Sequence, residues 1–146
     1  MPEKKKVKLR VRGARIGRLA DVREARGRLV AAQIGAPLPF APRRCFIIMD
    51  VPRGDIRGEH AHIRLKQFLL CVRGRVTVMV DDGRQRDEVV LDDPGEGLYV
   101  PPMVWAAQYD YSADAVLVVF ASANYDPRDY IRDYEDFRRR VARKTR

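Results

Sequence analysis

The hydrophobic positions of the chain fall into short runs separated by turn residues. In residues 75–80, valines at every second position alternate with Thr77 and Met79, which is the period of a β-strand with one buried face. Residues 81–83, Asp-Asp-Gly, predict a hairpin turn. Comparable β-prone runs recur at intervals of roughly 8–12 residues and indicate a sandwich or barrel. The predicted strands are residues 28–34, 43–49, 66–72, 75–80, 86–91, 98–100, 104–111 and 115–122.

The period changes near the C-terminus. Asp126 is suited to cap a helix, and Pro127 is suited to its first position. Apolar side chains then recur at helical spacing, at Tyr130, Tyr134, Phe137 and Val141. We therefore predict an all-β domain with one C-terminal α-helix, whose apolar face packs on the sheet or on a partner subunit.

Length and composition favour one globular domain over residues 1–146, because the chain is long enough for one core and is 46% hydrophobic. The N-terminus has no apolar segment typical of a signal peptide, and no apolar run is long enough to cross a bilayer. We therefore expect a cytoplasmic protein without a membrane partner. Cys45 and Cys71 lie in apolar runs and are expected to be small buried side chains.

The net charge of +9 comes from the two ends of the chain. Residues 1–12 hold six basic residues and one acid, residues 138–146 hold six basic residues and no acid, and the rest is close to neutral. These basic termini are expected to be solvated segments. No helix-turn-helix pattern or aromatic-plus-basic surface accompanies the charge, so nucleic acid is not the expected partner.

The stretch RGEHAHIRLKQ, residues 57–67, contains both histidines of the chain. In a strand, residues two apart share a face, so His60 and His62 would point the same way, with Glu59 and Ala61 opposite. The spacing from His60 through position 67 to Gly74 resembles the first cupin motif, which in metal-binding members supplies ligands in a barrel mouth. This resemblance implies a cupin jelly-roll barrel.

The metal ligands of that motif are missing here. Position 67 is Gln67, a poor ligand for a divalent cation, and there is no third histidine. We therefore predict no metal and no cofactor. Two other interpretations stay open: a two-histidine site completed by Asp or Glu, and two histidines that only make structural hydrogen bonds. A third interpretation is that the imidazoles carry protons near neutral pH.

The chain also resembles the nucleotide-sugar 3,4-ketoisomerases, cupins of the WxcM-like group. RGEHAH (57–62) and YDPRDYIRDYEDF (125–137) are the most specific matches. Shorter matching stretches, in order along the chain, are residues 26–29, 39–40, 67, 80–83, 97–105 and 121–122.

This resemblance implies a metal-free homodimer that exchanges N-terminal strands. It implies a dTDP-4-keto-6-deoxyhexose substrate, isomerised to the 3-keto sugar for deoxyamino-sugar synthesis. It also implies that His60 is the base, with His62 beside it. Proton chemistry agrees, since the C3 proton is acidic next to the C4 ketone and an enediol links the two keto sugars.

Five further residues are candidates for substrate binding. Arg26, Arg44 and Arg57 carry guanidinium groups that suit a diphosphate, although each could instead form an ordinary ion pair. Gln67 would hydrogen-bond a sugar hydroxyl. Trp105 would stack on a base or sugar, with a place in the core as the alternative.

The chain departs from the resembling proteins at two positions. Phe46 stands where many carry tyrosine, and Ala106 stands where some carry histidine. These departures motivate an alternative, a cupin that binds a nucleotide sugar without converting it. A 3,5-epimerase is a further alternative, but it needs a His–Asp dyad and a tyrosine acid, which the sequence alone does not place.

Overall fold

The computed structural model describes residues 7–35 and 37–144, which form twelve strands and one α-helix. The first six strands are β1 (Arg15–Arg18), β2 (Ala20–Glu24), β3 (Gly27–Ala31), β4 (Arg44–Met49), β5 (Arg57–His62) and β6 (Gln67–Arg73). The remaining elements are β7 (Val76–Asp81), β8 (Arg86–Leu91), β9 (Glu96–Val100), β10 (Trp105–Tyr109), β11 (Val116–Ala121), β12 (Tyr130–Ile131) and α1 (Tyr134–Lys144).

Two five-stranded antiparallel sheets enclose the main core. Their strand orders are β1-β9-β6-β11-β4 and β12-β5-β10-β7-β8, so consecutive strands often belong to opposite sheets. The inner faces of both sheets contribute fully buried side chains, including Leu98, Leu117, Val76, Val78 and Val80. The prediction of an all-β fold with a C-terminal helix is confirmed, and the paired sheets are those of a jelly-roll barrel.

Strands β2 and β3 form a separate two-stranded sheet, an N-terminal arm that the sequence only partly predicted. Strand β1 was not predicted either, because it is short and mostly polar. Leu19, Leu38 and Phe40, which flank the arm, pack on Phe68 and Leu70 of β6. The outer positions of the arm stay exposed, including Val22 and Leu29.

The C-terminal segment differs from the prediction of a helix that begins at Pro127. Pro127–Asp129 is a single 3₁₀ turn, and the Asp126 carboxylate caps it by accepting a bond from Arg128 N. Tyr130 is then extended and pairs with His62 in β5, so the α-helix begins only at Tyr134. Strand pairing with β5 thus overrides the helical spacing of Tyr130.

Helix α1 packs on the outer face of the second sheet. Phe137 and Val141 are buried there with Ala61 and Trp105, as the helical spacing predicted. Tyr134 donates a 2.7 Å hydrogen bond to the buried Asp81 carboxylate of β7. The helix is therefore fixed to the barrel by both apolar and polar contacts.

Strand β4 is an edge strand whose outer face is uncovered. Ile47 and Met49 are exposed there, and so is Cys45, which the sequence predicted to be buried. Cys71, on the inner face of β6, is buried as expected. Among the described residues, no helix combines the length and apolar character needed to span a membrane.

Candidate functional site

The two histidines lie together on the inner face of β5. Ala106 of β10 pairs directly with His60, and its side chain belongs to the main core. The ring centroids of His60 and His62 are 4.9 Å apart in an edge-to-face arrangement. Ala61 packs on the opposite face under α1. The prediction that both imidazoles share one face is confirmed.

Burial keeps both imidazoles uncharged at neutral pH. It lowers the pKa of His60 to about 4, with smaller contributions from repulsion by a protonated His62 and by Arg132. Burial also lowers the pKa of His62, although the nearby Asp129 carboxylate partly opposes this effect. A neutral imidazole is the form that accepts a proton.

Asp129 fixes the orientation of His62. Its Oδ2 atom lies 3.2 Å from Nδ1 of His62, and both side chains are buried. The same carboxylate accepts backbone bonds from Arg64 N and Leu65 N, which hold it in place. Because a carboxylate only accepts, Nδ1 carries the proton and Nε2 offers its lone pair. Nε2 is buried and has no hydrogen-bond partner in the described structure.

Tyr130 covers both imidazoles. Its ring centroid lies 4.8 Å from that of His60 and 4.4 Å from that of His62. The guanidinium carbon of Arg132 lies 4.3 Å from the centroid of the Tyr130 ring. This stretch lies in a segment that matches the resembling proteins, but the sequence predicted no site role for Asp129, Tyr130 or Arg132. The short strand β12 brings these three residues to the histidines. The helical spacing of the apolar residues in this segment predicted a helix here instead of a strand.

A cavity of about 250 Å³ adjoins this cluster and is lined by His62, Asp129 and Tyr130 on one side. Arg44 lines it as well, and its Nε atom is buried without a hydrogen-bond partner in the described structure. The Arg44 guanidinium lies over the rings of Phe46 and Tyr125. The structure therefore brings the Arg44 guanidinium into the same cavity as His62.

Gln67 also faces the barrel interior. Ala121 pairs with Arg44 on one side and with Gln67 on the other, so the three residues form one row across the sheet. Gln67 is half-buried at the start of β6. The row places the Gln67 amide on the same inner face as Arg44.

Three other candidates lie away from the histidine cluster or at its margin. Trp105 packs in the apolar cluster under α1, on the face opposite the histidines, so the structure favours the core alternative. Arg57 is exposed at the first position of β5. Arg26 lies at the exposed tip of the arm, where it pairs with Glu24. Within one chain, the structure does not bring Trp105 or Arg26 to the imidazoles.

No group of three His, Cys, Asp or Glu side chains that could hold a metal ion occurs among residues 7–35 and 37–144. His62 does have a carboxylate neighbour, but Asp129 is occupied by two backbone donors and Nδ1 of the ring. The absence of metal and cofactor in the reaction remains a prediction.

Known proteins resemble this chain over most of its length. The family model described as FdtA: WxcM-like, C-terminal matches residues 12–142. A curated protein of Aneurinibacillus thermoaerophilus, TDP-4-oxo-6-deoxy-alpha-D-glucose-3,4-oxoisomerase, is 42% identical over 120 residues, which cover 82% of this chain and 86% of that protein.

Solved structures of 3,4-ketoisomerases are also similar to this chain. A double mutant of the QdtA 3,4-ketoisomerase from Thermoanaerobacterium thermosaccharolyticum, in complex with TDP, is similar with a TM-score of 0.89 and 30% identity, over 92% of this chain and 97% of that one. The WlaRB TDP-quinovose 3,4-ketoisomerase from Campylobacter jejuni is similar with a TM-score of 0.84 and 33% identity, over 88% of this chain and 99% of that one.

Proposed function

The chain belongs to the FdtA family of WxcM-like proteins, and we propose that it is an isomerase that moves the keto group of a dTDP-4-keto-6-deoxyhexose from C4 to C3. The names of its relatives support this substrate class, since the curated relative is a TDP-4-oxo-6-deoxyglucose 3,4-oxoisomerase. The QdtA structure holds TDP itself.

The observation that carries the proposal is the pair of neutral imidazoles beside a cavity. His60 would take the proton from C3, and the electrons of the broken C–H bond would form the C3–C4 double bond of an enediol. The proton of the C3 hydroxyl would pass to the C4 oxygen, so that C3 becomes the ketone and C4 the alcohol, while His60 returns its proton to carbon C4. His62, oriented by Asp129, supports His60 during both transfers. No oxidant or reductant is consumed.

The negative charge that develops on the enediol oxygens needs nearby donors. Arg44 is suited to this role because its buried Nε lacks a partner and its guanidinium lines the same cavity as His62. This position favours contact with sugar oxygens over the diphosphate contact considered from sequence. The phenol of Tyr130 covers both histidines. Gln67, which lies on the opposite sheet, would hydrogen-bond a sugar hydroxyl.

We further infer a homodimer with exchanged N-terminal arms. A two-stranded sheet is marginally stable alone, yet the arm leaves Val22 and Leu29 exposed. A concave space of about 1230 Å³ runs along residues 7–18, next to Pro37 and Glu96. In such a dimer, the arm would carry Arg26 to the partner's site, and the exposed outer face of β4 would contribute to the contact.

A nucleotide-sugar-binding protein without turnover remains the second candidate. The side chain opposite His60 in the sheet is Ala106, which cannot exchange protons, and Phe46 lacks the hydroxyl that a tyrosine would have. The structure also corrects one expectation about the epimerase alternative. A His–Asp dyad and a tyrosine do occur together here, as His62, Asp129 and Tyr130.

One experiment separates the three functions. The protein is incubated with dTDP-4-keto-6-deoxyglucose in deuterated water and followed by NMR. A ketoisomerase yields the 3-keto sugar with deuterium or transferred hydrogen at C4. A 3,5-epimerase leaves the ketone at C4 and introduces deuterium at C3 and C5. Binding of dTDP with neither formation of the 3-keto sugar nor exchange at any carbon would refute the isomerase.

A further inference from the structure

Arg132 lies one side chain away from the histidines. Its guanidinium carbon is 4.3 Å from the centroid of the Tyr130 ring, and the same ring contacts both His60 and His62. Arg132 is nevertheless exposed to solvent. The guanidinium is therefore open to solvent beside the ring that covers the two histidines.

Among the described residues, no carboxylate lies within ion-pair distance of the Arg132 guanidinium. Other arginines of the C-terminal segment do, since Arg128 pairs with Asp126, and Arg139 and Arg140 pair with Asp136. The adjacent Asp133 carboxylate instead accepts a bond from Asp136 N at the start of α1. The fold thus leaves a positive charge uncompensated next to the two imidazoles.

This charge acts on both members of the histidine pair. It lowers the pKa of His60 and of His62, in addition to the larger effect of burial. Each of the other nearby charges affects the pKa of one histidine only. Asp129 raises the pKa of His62 and Arg44 lowers it, and a protonated His62 lowers the pKa of His60. In the free protein, Arg132 therefore makes both imidazoles weaker proton acceptors.

An anion that binds the Arg132 guanidinium would neutralise its charge and so remove its lowering effect on the pKa values of the two histidines. A guanidinium binds phosphate oxygens through paired hydrogen bonds, and the proposed substrate carries a diphosphate. The cavity beside His62, about 250 Å³, is smaller than typical pockets for a whole ligand, roughly 300–1,000 Å³. The sugar would occupy this cavity and leave the diphosphate outside it, where exposed side chains can reach it.

We propose that Arg132 contacts the diphosphate of the nucleotide sugar, and that neutralisation of its charge by the diphosphate prepares the histidine pair to accept a proton. The substrate would in this way increase the basicity of the groups that react with it. The identity of the ligand rests on the proposed function, but the contact and its effect on the histidines can be measured without turnover.

The chain suits such a measurement because it has only two histidines. With ¹⁵N-histidine labelling, both imidazoles are titrated by NMR in the free protein, with dTDP and with thymidine. We expect dTDP to raise the pKa of both histidines by roughly one unit, and thymidine, which lacks phosphate, to leave them unchanged. In Arg132→Gln, the pKa values of the free protein should already be higher, and dTDP should raise them less.

Two variants serve as controls. Arg139→Gln removes an exposed arginine on α1 that pairs with Asp136, and it should behave as the unmodified protein. Arg132→Lys keeps the charge and should retain much of the effect of dTDP. Arg132→Gln should bind dTDP about tenfold more weakly than Arg139→Gln, since a hydrogen bond to a charged group is lost.

Equal dTDP affinity in Arg132→Gln and Arg139→Gln would overturn the proposal, and so would an undiminished rise of the histidine pKa values in Arg132→Gln. Failure of dTDP to bind at all would overturn it too. If dTDP raises the pKa values through Arg132 but no sugar is isomerised, the diphosphate contact stands and the isomerase function falls.

Discussion

Nδ1 of His62 lies 3.2 Å from Oδ2 of Asp129, and the two residues are 67 positions apart in the chain. The carboxylate makes Nδ1 the protonated nitrogen and leaves the buried Nε2 as the acceptor. Asp129 is held in turn by the backbone of residues 64 and 65, which come two and three positions after the end of β5. The 3₁₀ turn after the barrel thus sets the tautomer of a side chain inside it.

Replacing Asp129 with asparagine should lower kcat without a comparable change in KM. The asparagine amide can donate to Nδ1 and favour the opposite tautomer, so the loss should be on the order of 10²-fold or more. The pH profile should also change, because Asp129 raises the proton affinity of His62. Asp133→Asn is the control, since Asp133 caps α1 and lies outside the histidine cluster. An unchanged pH profile in Asp129→Asn would leave Asp129 with a structural role only.

His60→Asn should abolish most turnover while dTDP binding is retained. The amide keeps a polar side chain on the inner face of β5 but cannot accept a proton from carbon, so kcat should fall by about 10²–10⁴-fold. Steady-state kinetics and dTDP binding by calorimetry measure the two effects separately. Turnover equal to that of the unmodified protein would refute the assignment of the base.

The stability of the protein should fall as the pH decreases from 6.5 towards 4. The pKa of His60 is about 4 in the folded protein and 6.5 as its ordinary value, so the unfolded chain binds a proton in this range that the folded protein does not. His62 acts in the same direction. Urea midpoints measured between pH 4 and pH 8 should show this slope and a plateau above about pH 7. His60→Asn should have a smaller slope, and an identical slope would contradict a neutral, buried His60.

Mixed dimers test the exchange of N-terminal arms. If Arg26 acts in the partner's site, Arg26→Ala and His60→Asn homodimers are both impaired, but a heterodimer of the two has one site with neither substitution. Co-refolding the two variants should then restore activity to a substantial fraction of normal. If each arm served its own chain, every site in the mixture would carry one substitution, and activity would not recover.

Phe137→Ala should destabilise both the helix and the site. Phe137 is fully buried between α1 and the outer face of the barrel, and truncation of such a phenylalanine costs about 3–5 kcal/mol. Urea unfolding measures the loss. Glu135→Ala, at an exposed position of the same helix, should cost well under 1 kcal/mol. Equal effects of the two substitutions would contradict the packing described for α1.

The sequence was most informative where one local pattern decided the structure. The shared face of His60 and His62 follows from the two-residue period of a strand, and it needed no knowledge of the fold. The hairpin between β7 and β8 follows in the same way from the turn residues that begin at position 81. The apolar spacing of Phe137 and Val141 likewise gave the face of α1 that packs on the barrel.

It was least informative where a distant strand decided the conformation. Tyr130 fits the helical spacing of the residues after it, but pairing with His62 holds it in an extended strand. Asp129 and Tyr130 therefore lie in the site because each contacts His62, which is more than sixty positions earlier in the chain. The partner of a two-residue strand has no local signature, so sequence patterns alone placed these side chains on a helix.

The order of the elements has a consequence for the biosynthesis of this protein. The eleven strands β1 to β11 all precede Asp129 and Tyr130 in the chain, and β12 joins the edge of the second sheet after them. A chain that ends before residue 129 therefore contains His62 but lacks the carboxylate that orients it. The reactive tautomer of His62 thus depends on a segment that is synthesised after β1 to β11.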